Sequence, residues 1–387
     1  MSLFASTLLG VSAAVVLYAY MGYPVALAVL GFFRRRKVEA IQPAEWPRVS
    51  ITVPAHNEEG AIATTLDRLL ELDYPPGRRQ IVVISDASTD RTDEIVGRYA
   101  SRGVELLRLA QRSGKTAAEN AARAHLTGEI VVNADASVRL HPGSLKPLIA
   151  AFGDPTVGVA SGRDVSVTTA PEEANLGESG YVGYEMWVRD LETSVDGIVG
   201  ASGCFYASRI GLHMEIVPQA LSRDFAAPLI ARARGYRAVS VPAALCYVPR
   251  VGSLGHEYRR KVRTMTRGLE TLYHWRALLN PLRYGWFAWM LFSHKLMRWL
   301  VPWAMLVAAL ACAALAPEFF WARAALVIAA VGVLLTSIVW WRGSRFPLPP
   351  IMTFPAYVIL GLLAGVHSWI NALRGELNPI WEPTRRL

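Results

Sequence analysis

Charge is the first thing this sequence lacks. Residues 1–33 contain no Asp, Glu, Lys, Arg or His, and uncharged runs recur at 299–317, 324–341 and 346–366. Charged residues make up 18% of the 387, against about 25% in an average soluble domain. About 20 mostly apolar residues cross a bilayer core, so a purely soluble chain is excluded. Disorder is excluded too, because it goes with low hydrophobicity. Cysteine is scarce: Cys204, Cys246 and Cys312 are too widely spaced for a zinc site or a disulfide framework, which fits a reducing compartment. The first apolar run is too long for the core of a cleaved leader and shows no small-residue cleavage site. It reads as a retained anchor. Nucleic-acid-binding signatures are missing as well, so despite a net charge of +9 no nucleic acid is expected as a partner.

What is present begins with the basic run Arg34-Arg35-Arg36-Lys37, which closes the anchor and marks its cytoplasmic flank. The expected layout is a transmembrane anchor at 1–37, a cytosolic globular domain at 45–275, an interfacial amphipathic helix at 280–298, transmembrane helices at 299–373 and a basic tail at 374–387. This is a multi-pass protein of the cell membrane. The interfacial reading rests on Trp286, Trp289, His294, Lys295 and Arg298. A cationic cluster, Arg259, Arg260, Lys261, Arg263 and Arg267, is expected to meet membrane lipids or phosphorylated ligands. On a helix, Arg260, Arg263 and Arg267 share one face.

Within the middle region apolar strands alternate with helical patterns. Strands are expected at 48–53, 80–85, 104–109 and 129–134, with helices near 58–72, 90–101 and 115–126. Such alternation argues an α/β fold with a parallel sheet covered on both faces. Further strands are expected at 157–161 and 237–241, and a helix near 223–234. Ligands of such sheets bind beyond the carboxyl ends of the strands. Those ends read Val53-Pro-Ala-His-Asn-Glu-Glu59, Ser85-Asp-Ala-Ser-Thr-Asp-Arg-Thr92 and Asn133-Ala-Asp-Ala-Ser137. All three carry acids. A carboxylate there accepts hydrogen bonds from a nucleoside or ligates a hard cation; the plainer alternative is that Asp86 and Asp90 cap the next helix.

In this order the elements resemble family 2 glycosyltransferases, over about residues 45–300. The resemblance implies a Rossmann-like GT-A nucleotide-sugar-binding domain, here flanked by transmembrane α-helices. It implies donor contacts from Pro54, Ala55, Asn57, Glu58 and Asp86, and from Lys115 in Arg112-Ser-Gly-Lys-Thr116 with Asn120. Asp135 and Ser137 fall at the family's metal-site element, with Pro142 at the expected spacing, which implies a divalent cation, Mg2+ or Mn2+. Gly200–Arg209 is similar to the acceptor-side loop, giving Gly203 and Cys204 as acceptor-side residues, and Trp187 is a candidate sugar-stacking ring. Ser222-Arg-Asp-Phe225 lies where the family holds its catalytic base, giving Asp224.

Three positions depart from the pattern. Ser137 replaces an acid, Arg223 replaces the acid beside Asp224, and the Gln-x-x-Arg-Trp element of processive synthases has become Arg260-Lys-Val-Arg-Thr264. Arg263 keeps that element's cation as a donor-side group. The implied activity is inverting transfer of a sugar from a nucleotide-sugar, a UDP-sugar, to a glycan or lipid-linked acceptor in cell-envelope or exopolysaccharide synthesis. The alternatives are a catalytically silent nucleotide-binding membrane subunit and a transporter with a regulatory nucleotide-binding domain. The near absence of polar residues in the apolar runs weighs against transport.

Overall fold

The computed structural model describes residues 2–34, 36, 38, 41–167, 175–249, 254–342 and 350–376, with backbone alone at 175–179, 254, 342 and 350–354. Arg35, Lys37 and the tail beyond residue 376 lie outside the described residues. Fourteen α-helices and eight strands are described, in one continuous order. Helix α1 (Ser2–Leu17) runs through a π-turn into α2 (Tyr23–Arg34). Then follow β1 (Val49–Ala55), α3 (Ile62–Leu70), β2 (Arg79–Ser85), α4 (Thr92–Gly97), β3 (Val104–Arg108), α5 (Lys115–Ala122), β4 (Ile130–Ala134), β5 (Arg139–Leu140) and α6 (Leu145–Ala150). The second half comprises β6 (Val157–Val167), α7 (Asn175–Val195), β7 (Phe205–Arg209), α8 (Ile210–His213), α9 (Arg223–Ala233), β8 (Arg237–Pro249) and α10 (Leu254–His274). The chain closes with α11 (Pro281–Leu291), α12 (Arg298–Leu315), α13 (Phe320–Arg342) and α14 (Pro350–Arg374).

The strands form one sheet in the order β3-β2-β1-β4-β7-β6-β8-β5. Pairs β1–β2, β2–β3 and β1–β4 are parallel, as their unbroken apolar runs lead one to expect. The other half is mixed. β7 lies antiparallel between β4 and β6, which corrects the expectation of a wholly parallel sheet. It holds that place because its residues Phe205–Ser208 are buried on both faces once flanked. Its Phe205 and Ala207 join the core on one face, and Tyr206 faces α8 and α9. Gly128, just before β4, has no room for a side chain: a Cβ there would lie 2.4 Å from the backbone nitrogen of Ser50.

Among the described residues, four helical stretches are long and apolar enough to cross a membrane: Ser2–Arg34, Pro281–Leu315, Phe320–Trp341 and Pro355–Arg374. The first two share a core with helices of the sheet domain. Tyr23 and Leu27 of α2 and Phe287, Met290 and Leu291 of α11 pack with Val188 and Val195 of α7 and with Phe225 and Leu229 of α9. The expected interfacial helix at 280–298 is corrected by this packing. His294 and Arg298 are buried within the protein, because Glu185 and Glu192 of α7 supply them with partners.

The far edge of the sheet is tied by Asp154, which accepts from Arg237 Nη2 at 2.7 Å, Thr156 Oγ1 at 2.6 Å and the Thr156 N–H at 2.9 Å. Burial works against the charge, but these donors outweigh it and hold the carboxyl below its ordinary value of 3.8. A lowered folded-state value stabilises above that ordinary value and is lost as pH falls through the lowered one. Asp154→Asn is expected to cost about 1–3 kcal/mol at neutral pH, and the difference from wild type should shrink on acidification below about pH 4. Thermal melts at pH 7 and pH 3.5 check it.

Candidate active site

Three loops leave the carboxyl ends of β1, β2 and β4, and hydrogen bonds fasten the first two together. Asn57 sits in the left-handed region, φ 53°, where Asn is tolerated better than most residues. Its Oδ1 accepts from the Thr89 N–H at 2.8 Å, and the Glu58 N–H donates to Thr92 Oγ1 at 2.8 Å. His56 Nδ1 donates to the Asp86 carbonyl at 2.7 Å.

Asp86 is 1% exposed. Its two oxygens accept the N–H groups of Ser113 (2.7 Å) and Gly114 (2.8 Å), so it fixes the turn that launches α5. Gly114, at φ 90°, is a conformation glycine adopts at no steric cost. Asp90 does serve the start of α4, its Oδ1 accepting the N–H of Thr92 at 2.9 Å; Asp86 does not. The turn delivers Lys115, first residue of α5, across to the β4 loop. Lys115 Nζ is 2.5 Å from Asp135 Oδ1 and 2.8 Å from the Gly203 carbonyl. Burial works against its charge, but Asp135, Glu119 and Asp224 together hold the ammonium above its ordinary value.

Gly203 and Cys204, expected on the acceptor side, join the same patch. The Asp135 N–H donates to the Cys204 carbonyl at 3.1 Å. A Cβ on Gly203 would lie 3.0 Å from Asp224 Oδ2, so glycine lets the loop approach that carboxylate. Asp224 Oδ1 accepts from Ser222 Oγ at 2.5 Å. Residues 115, 135, 203, 204 and 224 are thus gathered from four separate segments. Ser137 is half-buried on the loop after Asp135, which Thr65 Oγ1 pins by donating to the Ala136 carbonyl at 2.7 Å.

Arg223, which replaces an acid beside Asp224 in the sequence, turns away from the patch, donating to Asn120 Oδ1 at 2.6 Å and to the His213 carbonyl. Trp187, the candidate sugar-stacking ring, is an exposed residue of α7. Its ring lies 5.9 Å from that of Tyr184, whose hydroxyl donates to the Tyr20 carbonyl at 2.8 Å. It belongs with the N-terminal helices.

One site residue was missed. Glu119 is fully buried, with Arg223 Nε 3.9 Å away; burial raises its carboxyl, against the pull of Lys115 and Arg223. The signal was the Lys115–Glu119 spacing of four on one helix. Of the three arginines on one face of α10, Arg267 bonds to the site's elements, through Thr116 Oγ1 (2.9 Å) and the Leu221 carbonyl (2.5 Å). Arg260 pairs with Glu257 on its own helix, and Arg263 lies one turn before Arg267, half-buried.

The donor set for a divalent cation is thin. Among the described residues no group of three or more His, Cys, Asp or Glu is gathered to hold a metal ion. Asp135 is the one acid of the expected pair, and its Oδ1 carries Lys115. A divalent ion on that same oxygen would stand about 4 Å from the ammonium, a repulsion of about 8 kcal/mol at an effective dielectric of 20. With Lys115 in this place, the residues do not fit a resident divalent cation.

Comparison with known proteins gives the same frame. Residues 50–194 match the family described as Glycosyl transferase family 2. A 178-residue stretch is 29% identical to a beta-monoglucosyldiacylglycerol synthase of Nostoc sp., covering 45% of this chain and 38% of that protein. A 97-residue stretch is 35% identical to the probable glycosyltransferase YdaM of Bacillus subtilis, covering 24% of this chain and 23% of that one. The chain spans less than two fifths of the length of these curated relatives. Among solved structures, the mannosyltransferase PcManGT of Pyrobaculum calidifontis, in complex with GDP-Man and Mn2+, superposes with a TM-score of 0.73 at 23% identity. The superposition covers 95% of this chain and 99% of that one, and shows the shared GT-A fold. By this match residues 50–194 carry a glycosyl transferase family 2 domain, and the superposition gives that domain and its helices the GT-A fold.

Proposed function

We propose that the chain moves a sugar from a nucleotide-sugar, a UDP-sugar, to a glycan or lipid-linked acceptor at the cytosolic face of the membrane, with inversion at the anomeric carbon. The observation that carries this is the convergence of Asp224 on the Lys115–Asp135–Gly203 patch, beyond the carboxyl ends of a sheet whose flanking helices α7 and α9 share a core with apolar helices. Pro54, Ala55, Asn57, Glu58 and Asp86 form the nucleoside side in this reading, and Gly203 and Cys204 the acceptor side. Asp224 takes the proton of the acceptor hydroxyl as its oxygen attacks the anomeric carbon. The bond to the diphosphate breaks in line, and the charge left behind meets Lys115, Arg263 and Arg267.

The cytosolic orientation rests on the basic flank of α2. Arg34 Nε donates to the Val195 carbonyl at 3.0 Å, and Arg36 pairs with Asp196 at 2.5 Å. This flank is bonded to the catalytic domain, so the two lie on the same side. Homologous activities set the class of test: membranes containing the protein are incubated with a panel of radiolabelled nucleotide-sugars. Transfer to a glycan or lipid acceptor from one donor is the expected result. Binding of a donor without hydrolysis or transfer would favour the silent-subunit reading, and no binding at all would reject both.

A further inference from the structure

Resting on that glycosyltransferase reading, we infer that the Lys115 ammonium is the built-in counter-charge for the departing diphosphate, standing where a divalent cation would otherwise link Asp135 to the nucleotide. Three features support this. The first is position. Lys115 Nζ is held between Asp135 Oδ1 and the Gly203 carbonyl, on the loop that approaches Asp224. An ammonium has three N–H donors; two are taken by these bonds, which leaves one for a diphosphate oxygen. A lysine binds phosphate as a compact point charge.

The second feature is preorganisation. Asp86 holds the backbone of Ser113 and Gly114, so the residue that follows is already directed at the Asp135 loop with no ligand in place. Charge fixed in advance costs no reorganisation as the leaving group departs. The third is substitution chemistry. Ser137 supplies a hydroxyl where a hard cation prefers a carboxylate, so the position that would compete with Lys115 for a metal is weakened. Arg267, bonded to the next residue on α5 through Thr116 Oγ1, supplies a second positive charge on the same side.

The step balances without metal. The acceptor oxygen forms a bond to the anomeric carbon, and its proton goes to Asp224. The bond from that carbon to the diphosphate oxygen breaks with its electron pair, and the new negative charge lies against Lys115.

The test uses the full chain in detergent, with UDP and GDP as probes in calorimetric titrations, in EDTA and in Mn2+. Mn2+ binding is followed in parallel by electron paramagnetic resonance. Wild type is expected to bind one of the nucleotides equally under both conditions, within about threefold, with no Mn2+ captured. Lys115→Met should weaken binding by about ten- to a hundredfold, and Lys115→Arg should keep most of it. The double variant Lys115→Met, Ser137→Asp should recover binding only in Mn2+. If Lys115→Met fails to fold, the wild-type and Lys115→Arg titrations decide. Binding that needs Mn2+, or Mn2+ held by wild type with nucleotide and released by Asp135→Asn, would overturn the assignment while leaving the transferase reading intact. Binding of neither nucleotide under either condition would overturn both.

Discussion

Asp224→Asn is expected to lower sugar transfer at least about a hundredfold while folding and nucleotide binding stay near wild type; general-base assistance is worth about 10²–10⁴-fold. A sugar hydroxyl is a very weak acid, so a carboxylate has to take its proton as the new bond forms. The competing explanation, that Asp224 merely caps α9, does not survive the geometry. The cap position belongs to Ser222, and Asp224 lies inside the first turn. Asparagine keeps an oxygen for Ser222 Oγ to donate to, and loses only the favourable interaction of a negative charge with the helix N-terminus, about 0.3–1 kcal/mol. Two other acids of the domain are committed. Asp190 accepts from Ser240 Oγ at 2.8 Å, and Glu185 accepts from Arg298 Nη1 at 2.7 Å. Initial rates with a saturating donor, alongside a titration of the free nucleotide, separate loss of chemistry from loss of binding. Turnover within a few-fold of wild type in Asp224→Asn would reject it as the base.

The half of this site that is legible in the sequence is the half built from local signals. The strand-end loops at 54–59, 85–90 and 134–138 each follow a buried β-branched run, so their position in the sheet could be read off directly. The glycine–lysine turn at 114–115 could be read in the same way. What stayed hidden depends on partners distant in sequence. Nothing near Arg223 tells it to point at Asn120, 103 residues earlier. Its direction is decided by the buried acid at Glu119 and by free carbonyls on the 213–215 turn. β7 is five residues long with serine and arginine at its end, and it reads as a loop until β4 and β6 are placed on either side. The polar residues at 294–298 match an interfacial pattern because their acidic partners sit about a hundred residues away on α7. Periodicity finds a polar face; it does not say whether water or another chain segment covers it.

That buried polar face carries the largest stability effect we expect. Glu185 receives Arg298 Nη1 at 2.7 Å and His294 Nε2 at 2.9 Å, with Arg189 Nε at 3.7 Å and Lys295 Nζ at 3.9 Å. Glu192 takes the other ring nitrogen of His294 at 2.6 Å and the Tyr23 hydroxyl at 2.5 Å. Together they fasten α7 of the catalytic domain to α2 and to the turn that opens α12. Glu185→Gln would leave Arg298 buried without its counter-charge, and removing one partner of a buried pair costs about 3–5 kcal/mol. Spread over a domain of this size, that lowers the melting temperature by roughly 6–20 °C. Burial opposes the Glu185 charge, but His294 and Arg298 hold its carboxyl well below the ordinary value of 4.5. The lowered value means the stabilisation is present above pH 4.5 and disappears only as pH falls through the lowered value. The double variant Glu185→Gln, Arg298→Met should regain much of the loss, since an apolar replacement removes the stranded charge as well. The effect should reach the site too, because Lys295 lies against Gly200 and Arg189 Nη2 donates to the Ala201 carbonyl at 3.3 Å. Thermal unfolding of the detergent-solubilised single and double variants at pH 7 measures the coupling. A Glu185→Gln protein that melts within about 2 °C of wild type would show that the cluster is not what holds the catalytic domain to its helices.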